Sequence, residues 1–340
     1  MSMAHPSVAV VLLNYNSLKY LKEFLPALVA HTPEWVELVI IDNASTQQAW
    51  AWVAEHYPQI RWVQFHENYG YAGGYQRGLQ EVHADYYVLL NIDVEVTKNW
   101  LEPVISAFEA DSSIGAAQPK ILAQTNKAYF EHAGSAGGFI DQFGYPFCRG
   151  RVFDHLEVDT GQYDEAIDCF WASGAALFVR SNVFKEVGGF DERFFAHMEE
   201  IDFCWRVQKA GYSVKCFPES IVYHVGGGVL DYAHPRKAYL NFRNNLIMCF
   251  KQWSILAILW KLPIRLFLDA IAAWRFLLTG KPAGFLAVAK AHLHFFAGIF
   301  KWRQKANNAT SPRQVRGILK KSIVFQYFVL GKKTYTQLTR

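Results

Sequence analysis

Tyr86-Tyr87-Val88-Leu89-Leu90-Asn91-Ile92-Asp93 decides the fold. Five aromatic or apolar residues in a row, with no polar alternation, read as a strand covered on both faces, as in a parallel sheet flanked by helices. The strand ends in two polar side chains, Asn91 and Asp93. In open α/β sheets the ligand lies outside the carboxyl ends of the strands, so a carboxylate released there is aimed at whatever binds. Hard divalent cations take oxygen ligands, often one or two carboxylates together with substrate phosphates. Asn91 and Asp93 therefore read in two ways: as the corner of a metal-bridged diphosphate site, or as a turn that closes a strand.

The chain before this stretch repeats its pattern. Residues 8–13, 36–41 and 60–65 are strand-like, and the segments 18–30, 47–56 and 74–82 between them read as helices. This alternation predicts an α/β fold with a mostly parallel sheet, helices on both faces and right-handed crossovers. Residues 114–180 are more irregular, with many glycines and aromatics and an apolar strand near 174–179. A helix over 200–210 is stopped by Gly211, and two short strands follow at 214–217 and 221–223.

The net charge of +4 conceals a division. Residues 246–340 carry 16 Lys and Arg and one acid, Asp269, for a charge of +15, whereas the first 245 residues sum to −11. Such asymmetry predicts an anionic partner for the tail, either membrane lipid or nucleic acid. Residues 255–278 are apolar but interrupted by Lys261, Pro263, Arg265, Asp269 and Arg275. A spanning helix wants about 20 uninterrupted apolar residues, so this segment is expected to lie in the interface plane, with Trp253, Trp260, Trp274 and Trp302 at headgroup depth; an ordinary helical packing domain and a true span are the alternatives. No nucleic-acid-binding motif accompanies the charge, and nucleic acid is not expected as a partner. The N-terminus shows no basic–apolar–cleavage pattern, so no secretory signal is expected. Five cysteines without a C-x-x-C pair suit reduced thiols in the cytosol.

Four predicted strand ends deliver polar groups to one sheet edge: Asn14-Tyr15-Asn16, Asp42-Asn43, Asn68 through Gly74, and Asn91-Ile92-Asp93. Asp42 can accept hydrogen bonds from a uracil or thymine imide, or cap the following helix. Asn14 can contact base or ribose. Gly70, Gly73 and Gly74 permit close backbone approach to a sugar or diphosphate before a helix N-terminus, but they do not match G-x-G-x-x-G, which argues against a dinucleotide fold. Further on, Glu199-Glu200-Ile201-Asp202 places three carboxylates in four residues, which need partners, water or a cation. On a helix Glu199 and Asp202 share a face, and Asp202 can pair with Arg206. The plainer alternative is an acidic first turn that complements the helix dipole. His224 precedes Val225-Gly226-Gly227-Gly228 at a strand end and is a ligand candidate.

The order of these motifs resembles the family 2 glycosyltransferases of GT-A fold, in their rhamnosyltransferase-like branch. The matching pieces lie between residues 8 and 245: Leu13-Asn14-Tyr15-Asn16-Ser17, Ile41-Asp42-Asn43-Ala44-Ser45, Asn68-Tyr69-Gly70-Tyr71-Ala72-Gly73-Gly74, Asn91-Ile92-Asp93, Ser173-Gly174-Ala175, Gly188-Gly189-Phe190-Asp191, Glu199-Glu200-Ile201-Asp202 and Tyr223-His224. The resemblance implies that Asp42 and Asn14 bind the nucleoside of a nucleoside-diphosphate sugar. Asn16, Asn43, Asn68, Gly70, Gly73, Gly74 and Asn91 complete the donor site. Asp93 then matches the last carboxylate of a D-x-D motif and, with His224, holds Mg²⁺ or Mn²⁺. Asn91 stands where the first Asp of that motif would be, so one carboxylate is expected on the metal. Glu200 falls on the catalytic-base position, with Asp202 as the alternative because Glu199-Glu200 replaces the usual Glu-Asp. Trp171, Ser173 and Glu199 are assigned to the acceptor side, although Trp171 can equally be a core residue. The Q-x-x-R-W signature of processive synthases is absent, and Arg243-Asn244-Asn245 matches an Arg-Asn element of this branch.

The expected reaction is an inverting transfer, from a dTDP-rhamnose or UDP-hexose donor to a hydroxyl of a glycan or polyprenyl-linked acceptor in surface polysaccharide synthesis. The expected division is a catalytic domain over 1–245 and a basic amphipathic helical segment over 246–340. That segment associates with an anionic membrane surface and makes the protein cytoplasmic, peripheral to the inner face of the cell membrane. Two other classes compete. A non-catalytic nucleotide-sugar binder accommodates the Asn91 and Glu200 departures and differs in showing no transfer or hydrolysis. A nucleotidyltransferase would want a Gly-rich basic loop where Asn14-Tyr15-Asn16-Ser17 stands.

Overall fold

The computed structural model describes residues 5–132, 134–226, 234–303 and 315–340. Its first half runs β1 (Val8–Asn14), α1 (Leu18–His31), β2 (Glu37–Asp42), α2 (Ala49–His56), β3 (Arg61–Gln64), α3 (Gly70–Gly78) and β4 (Tyr86–Leu90). Strands β3-β2-β1-β4 are mutually parallel. Then come β5 (Val94–Val96), α4 (Glu102–Ala110), β6 (Ile114–Ala123), the short strands β7 (Gly138–Asp141), β8 (Pro146–Cys148), β9 (Arg151–Val152), β10 (His155–Leu156) and β11 (Ile167–Asp168), and β12 (Ala176–Arg180). Helix α5 (Ser181–Glu186), α6 (Glu199–Lys209) and β13 (Ser213–His224) complete the sheet-forming part.

The central sheet has the order β11-β13-β6-β12-β4-β1-β2-β3, with β5 also on β13. Beyond β4 it becomes mixed: β12 is antiparallel to β4 and β6, and β13 is parallel to β6 but antiparallel to β5 and β11. Alternate residues of each strand face opposite layers, and both layers are apolar. Ala9, Val11, Val39 and Tyr87 pack with Tyr75 of α3 and Phe203 of α6. Val8, Val10, Ile40 and Val88 pack with Leu21 of α1 and Phe108 of α4. All five residues of β4 are buried, as its unbroken apolar run requires.

Two local expectations are corrected. The third helix starts at Gly70, not Gly74, so the glycine cluster forms its first turn. Its glycines are spent largely on packing: a Cβ on Gly74 would stand 2.7 Å from Leu13 Cδ1, and one on Gly78 2.1 Å from Ile41 Cδ1. The two strands expected at 214–217 and 221–223 are one strand, β13, whose register against β6 shifts between Phe217 and Ile221. Pro218 lies in that interval and has no N–H to give the ladder.

The tail is helical and joined to the rest. Helix α7 (Pro235–Gln252) runs through position 245, and is followed by α8 (Ile255–Leu278), α9 (Pro282–Ala297) and α10 (Ile299–Trp302). Strand β14 (Ile318–Leu319) then pairs in parallel with β7, completing a second sheet of order β10-β9-β8-β7-β14, before α11 (Ile323–Phe328) and α12 (Tyr335–Thr339). Among the described residues, no helix is long and apolar enough to cross a membrane. All five cysteines are free and buried.

Candidate active site

Parallel register brings the first strand ends level: Asn14 pairs with Asp42, and Asp42 with Gln64. Asn14 Nδ2 donates to Asp42 Oδ2 at 2.6 Å, while Asp42 Oδ1 accepts from Ser45 N and from Gln64 Nε2, both at 2.8 Å. Asp42 therefore closes its own turn rather than capping α2, whose cap position is Gln48. Asn14 Oδ1 is buried without a partner, an acceptor still to be satisfied. Asn16 adopts φ 53° and its Oδ1 accepts from Thr46 N at 2.8 Å, fixing the adjoining loop. Asn43 Nδ2 donates to Asn68 Oδ1 at 3.1 Å and to Gly70 O at 2.9 Å, tying this edge to α3. Gly70 has φ +72°, and a Cβ there would meet Phe195 O at 2.4 Å, so only glycine fits. Gly73 is packed on Tyr69.

At the end of β4, Asp93 is buried and its Oδ1 stands 3.2 Å from His224 Nε2. Antiparallel pairing of β5 with β13 produces this meeting by placing His224 opposite Val94. Asn91 Nδ2 lies 3.4 Å from the same imidazole nitrogen. The other ring nitrogen, Nδ1, stands 3.2 Å from Glu131 Oε2. Burial works to lower the His224 pKa, but Glu131 and Asp93 outweigh it and hold it up to about 10. Residues Gly227 and Gly228 of the adjoining motif lie outside the described residues.

This donor set fits a divalent ion, whose binding would displace the proton that the two carboxylates otherwise hold on His224. Cis ligands on an octahedral ion with bonds of about 2.1 Å stand about 3 Å apart, close to the spacing of Asp93 Oδ1 and His224 Nε2. Glu131 then supplies the outer carboxylate that commonly orients a ligating histidine. Among the described residues, no group of three or more His, Cys, Asp or Glu side chains is placed to hold a metal ion. Two protein ligands suit a cation that is completed by substrate phosphates and water.

The acidic trio divides. Glu199 is buried and Glu200 half-buried, and each has one Oε2 atom enclosed without a hydrogen-bond partner. Burial and the neighbouring Glu200 raise the Glu199 pKa well above the carboxylate range, and burial pushes Glu200 up to about 7. Asp202 lies elsewhere, fully enclosed: Arg206 Nε and Lys251 Nζ each stand 3.0 Å from its Oδ2, and Gln252 Nε2 donates to Oδ1 at 2.9 Å. Burial opposes its ionisation, but Arg206 and Lys251 hold its pKa below the usual value. The carboxylates that act on one another are thus Glu199 and Glu200, not the helix-face pair Glu199 and Asp202.

The backbone before α6 is strained. Phe195, His197 and Met198 have φ of 64°, 71° and 74°, a region that costs non-glycine residues about 1–3 kcal/mol each. Helix α7 holds the turn. Asn244 Nδ2 donates to Phe194 O at 2.9 Å and to Ala196 O and His197 O at 2.8 Å. Arg243 Nη2 donates to Arg193 O and Phe194 O, both at 3.0 Å.

Tyr71 lies between the carboxylate pair and the Asp93–His224 corner. Its hydroxyl donates to Gly174 O at 2.6 Å, its pKa is raised by burial and by the Tyr75, Glu199 and Glu200 charges, and Ala175 O accepts from Asn91 N at 2.9 Å. Ser173 is buried beside this segment, its N donating to Gln118 Oε1 at 2.9 Å. Trp171 is a core residue, its Nε1 donating to Phe139 O at 2.9 Å. The structure thus joins Asn14, Asp42, Asn43, Asn68, Gly70, Asn91, Asp93, His224, Glu199 and Glu200 around one sheet edge, and leaves Asp202 and Trp171 in the packing. Sequence reasoning missed Glu131, Gln64 and Tyr71. Tyr71 sits inside the Asn68–Gly74 cluster and Gln64 at a strand end, both visible signals, whereas Glu131 lies in the irregular region with none.

The Glycosyl transferase family 2 profile matches residues 9–169. The chain is 26% identical over 231 residues to an N-acetylglucosaminyl-diphospho-decaprenol L-rhamnosyltransferase of Mycobacterium tuberculosis, covering 63% of this chain and 75% of that one. It is 22% identical over 246 residues to a low-salt glycan biosynthesis hexosyltransferase of Haloferax volcanii, covering 71% and 74%. Among solved structures it superposes on GalNAc-T7, determined with UDP, GalNAc and Mn²⁺, at a TM-score of 0.59 and 16% identity, over 92% of this chain but only 59% of that longer one. Over residues 9–169 the chain thus matches the glycosyl transferase family 2 profile, its fold is the GT-A fold, and the proteins it is similar to include rhamnosyltransferases.

Proposed function

We propose that the protein is an inverting hexosyltransferase with Glu200 as general base, moving a sugar from a nucleoside diphosphate to a hydroxyl of a glycan or polyprenyl-linked acceptor. The observation that carries this reading is the Glu199–Glu200 pair, held on a strained turn with unpartnered carboxylate oxygens. A base works best with a pKa near the operating pH, and burial pushes Glu200 up to about 7. Glu199, held neutral beside it, leaves one negative charge at the site and faces the acceptor. Asn14 Oδ1, buried and unpartnered, accepts from base or ribose on the donor side. A divalent cation held by Asp93 and His224 would neutralise charge on the departing diphosphate, which suits Mg²⁺ or Mn²⁺. The decaprenol-linked substrate in the name of one relative supports a lipid-carried acceptor, and dTDP-rhamnose and UDP-hexoses are the donors to try first. Catalysis then takes place in the cytoplasm, at the inner face of the membrane, in surface polysaccharide synthesis.

The test pairs wild type with Glu200→Gln against a panel of nucleotide sugars with Mn²⁺. Transfer should fall by about 10²–10⁴-fold, while thermal stabilisation by the donor persists. A Glu200→Gln enzyme that transfers at the wild-type rate sinks the assignment.

A further inference from the structure

Helix α8 is turned inside out. Its two central charges, Arg265 and Asp269, are buried against the catalytic part. Arg265 Nε donates to Asp269 Oδ1 at 2.9 Å and its Nη1 to Phe143 O at 3.1 Å, while Tyr145 OH donates to the same carboxylate oxygen at 2.8 Å. The guanidinium lies 3.7 Å from the Tyr145 ring centroid. This polar latch fixes the helix rotation and points its apolar row outward. Leu256, Trp260, Phe267, Ile271, Trp274 and Leu278, three, four or seven residues apart, are 49–85% exposed. The row continues onto α11, whose Phe325 and Phe328 are half exposed, and Arg275 stands 5.2 Å from the Phe328 ring centroid. An apolar patch of this extent marks an interaction surface.

Charge selects the partner. Asp269 is the one acidic residue in 246–340, and it is buried, so this segment presents no acidic side chain to solvent. Arg275 lies beside the apolar row and Lys281 just past its end, and the segment further exposes Lys290, Lys301 and Arg303. A second copy of the chain packed face to face on this surface would bring the same cations against these, whereas anionic lipid offers both apolar depth and opposite charge. Trp260 and Trp274 suit headgroup depth, and no described helix is able to span a bilayer. We propose that the outward faces of α8 and α11 form a monotopic docking surface for an anionic lipid leaflet, with the Arg265–Asp269 latch setting which side of α8 enters it. The proposal names a partner surface for the lipid-carried acceptor invoked above.

Co-sedimentation of the full-length protein with phosphatidylcholine vesicles, with and without phosphatidylglycerol, tests it. Wild type should bind the anionic vesicles and release them at high salt. Phe267→Glu with Leu278→Glu should weaken binding by about tenfold or more, with an unchanged thermal midpoint. Should that pair fail to fold, Arg275→Gln with Lys281→Gln carries the test, at about fivefold per cation removed. Absence of vesicle binding by wild type, equal binding by the variants, or a wild-type dimer broken by the Phe267 and Leu278 changes overturns the proposal. Vesicle binding without sugar transfer would leave it standing and defeat the catalytic reading alone.

Discussion

Asn244→Ala removes a donor that touches no substrate yet holds the turn ahead of Glu199 and Glu200. One amide serves three carbonyls, Phe194 O, Ala196 O and His197 O, at 2.8–2.9 Å. Each hydrogen bond contributes about 1 kcal/mol net, and enclosed acceptors left bare cost about 1–3 kcal/mol. Three residues at positive φ push in the opposite direction, at about 1–3 kcal/mol each. Loss of the amide should therefore destabilise the fold by about 2–4 kcal/mol and let the turn relax. A shift of about 1 Å at a catalytic group costs on the order of 10² in rate, so kcat should fall about that much while the donor KM, set at the far strand ends, stays within a few-fold. Asn244→Asp presents oxygen to three oxygens and should be worse than alanine. Steady-state kinetics with thermal denaturation decide the matter. An Asn244→Ala enzyme with wild-type kcat and midpoint refutes the idea that α7 holds the base in place.

Three further outcomes follow from the geometry. Transfer should rise with pH through about 7 as Glu200 loses its proton, and Glu200→Asp should move this limb. Because that carboxyl's folded pKa lies above its ordinary 4.5, the folded state binds the extra proton, and stability should decline as pH climbs from 4.5 towards 7; denaturant unfolding across that window reads it. Glu131→Gln should weaken Mn²⁺ affinity by about 10–100-fold, seen as a lost metal-dependent thermal shift, and should also lower the empty protein's midpoint, because the buried His224 loses one of its two carboxylate partners. Asp269→Ala strands the buried Arg265 guanidinium and should cost about 3–5 kcal/mol of stability; an unchanged midpoint would show that Tyr145 and the Phe143 carbonyl suffice.

The first four strands were legible because a parallel core leaves an unbroken apolar run such as 86–90, and the polar residues at their ends then had to share one edge. Register accounts for Asn14 beside Asp42, and antiparallel β5 for His224 beside Asp93, across 131 residues. Less was legible where the signal is not periodic. Glu131 has no pattern around it. The pairing of Glu199 with Glu200 depends on the left-handed turn at Met198, which helical periodicity does not anticipate. For α8, composition displayed its charges but not their side: Arg265 and Asp269 face inward because Tyr145 and Asn245, more than a hundred and some twenty residues away from them, are there to receive them.

The return of β14 to β7 has a consequence for how the chain is made. Ile323 N donates to Asp141 Oδ2 across 182 positions, and Tyr335 N to Glu157 Oε1 across 178. Tyr335 also covers Phe139 and Phe147, the aromatic face of the second sheet. Contacts of such separation lie at the slow end of folding. Until residues 318–338 leave the ribosome, the β7 edge and its phenylalanines are uncovered, a state prone to association. Cutting the chain after residue 245 would therefore not release an intact catalytic half; it would leave a sheet with a missing edge strand and an exposed aromatic face.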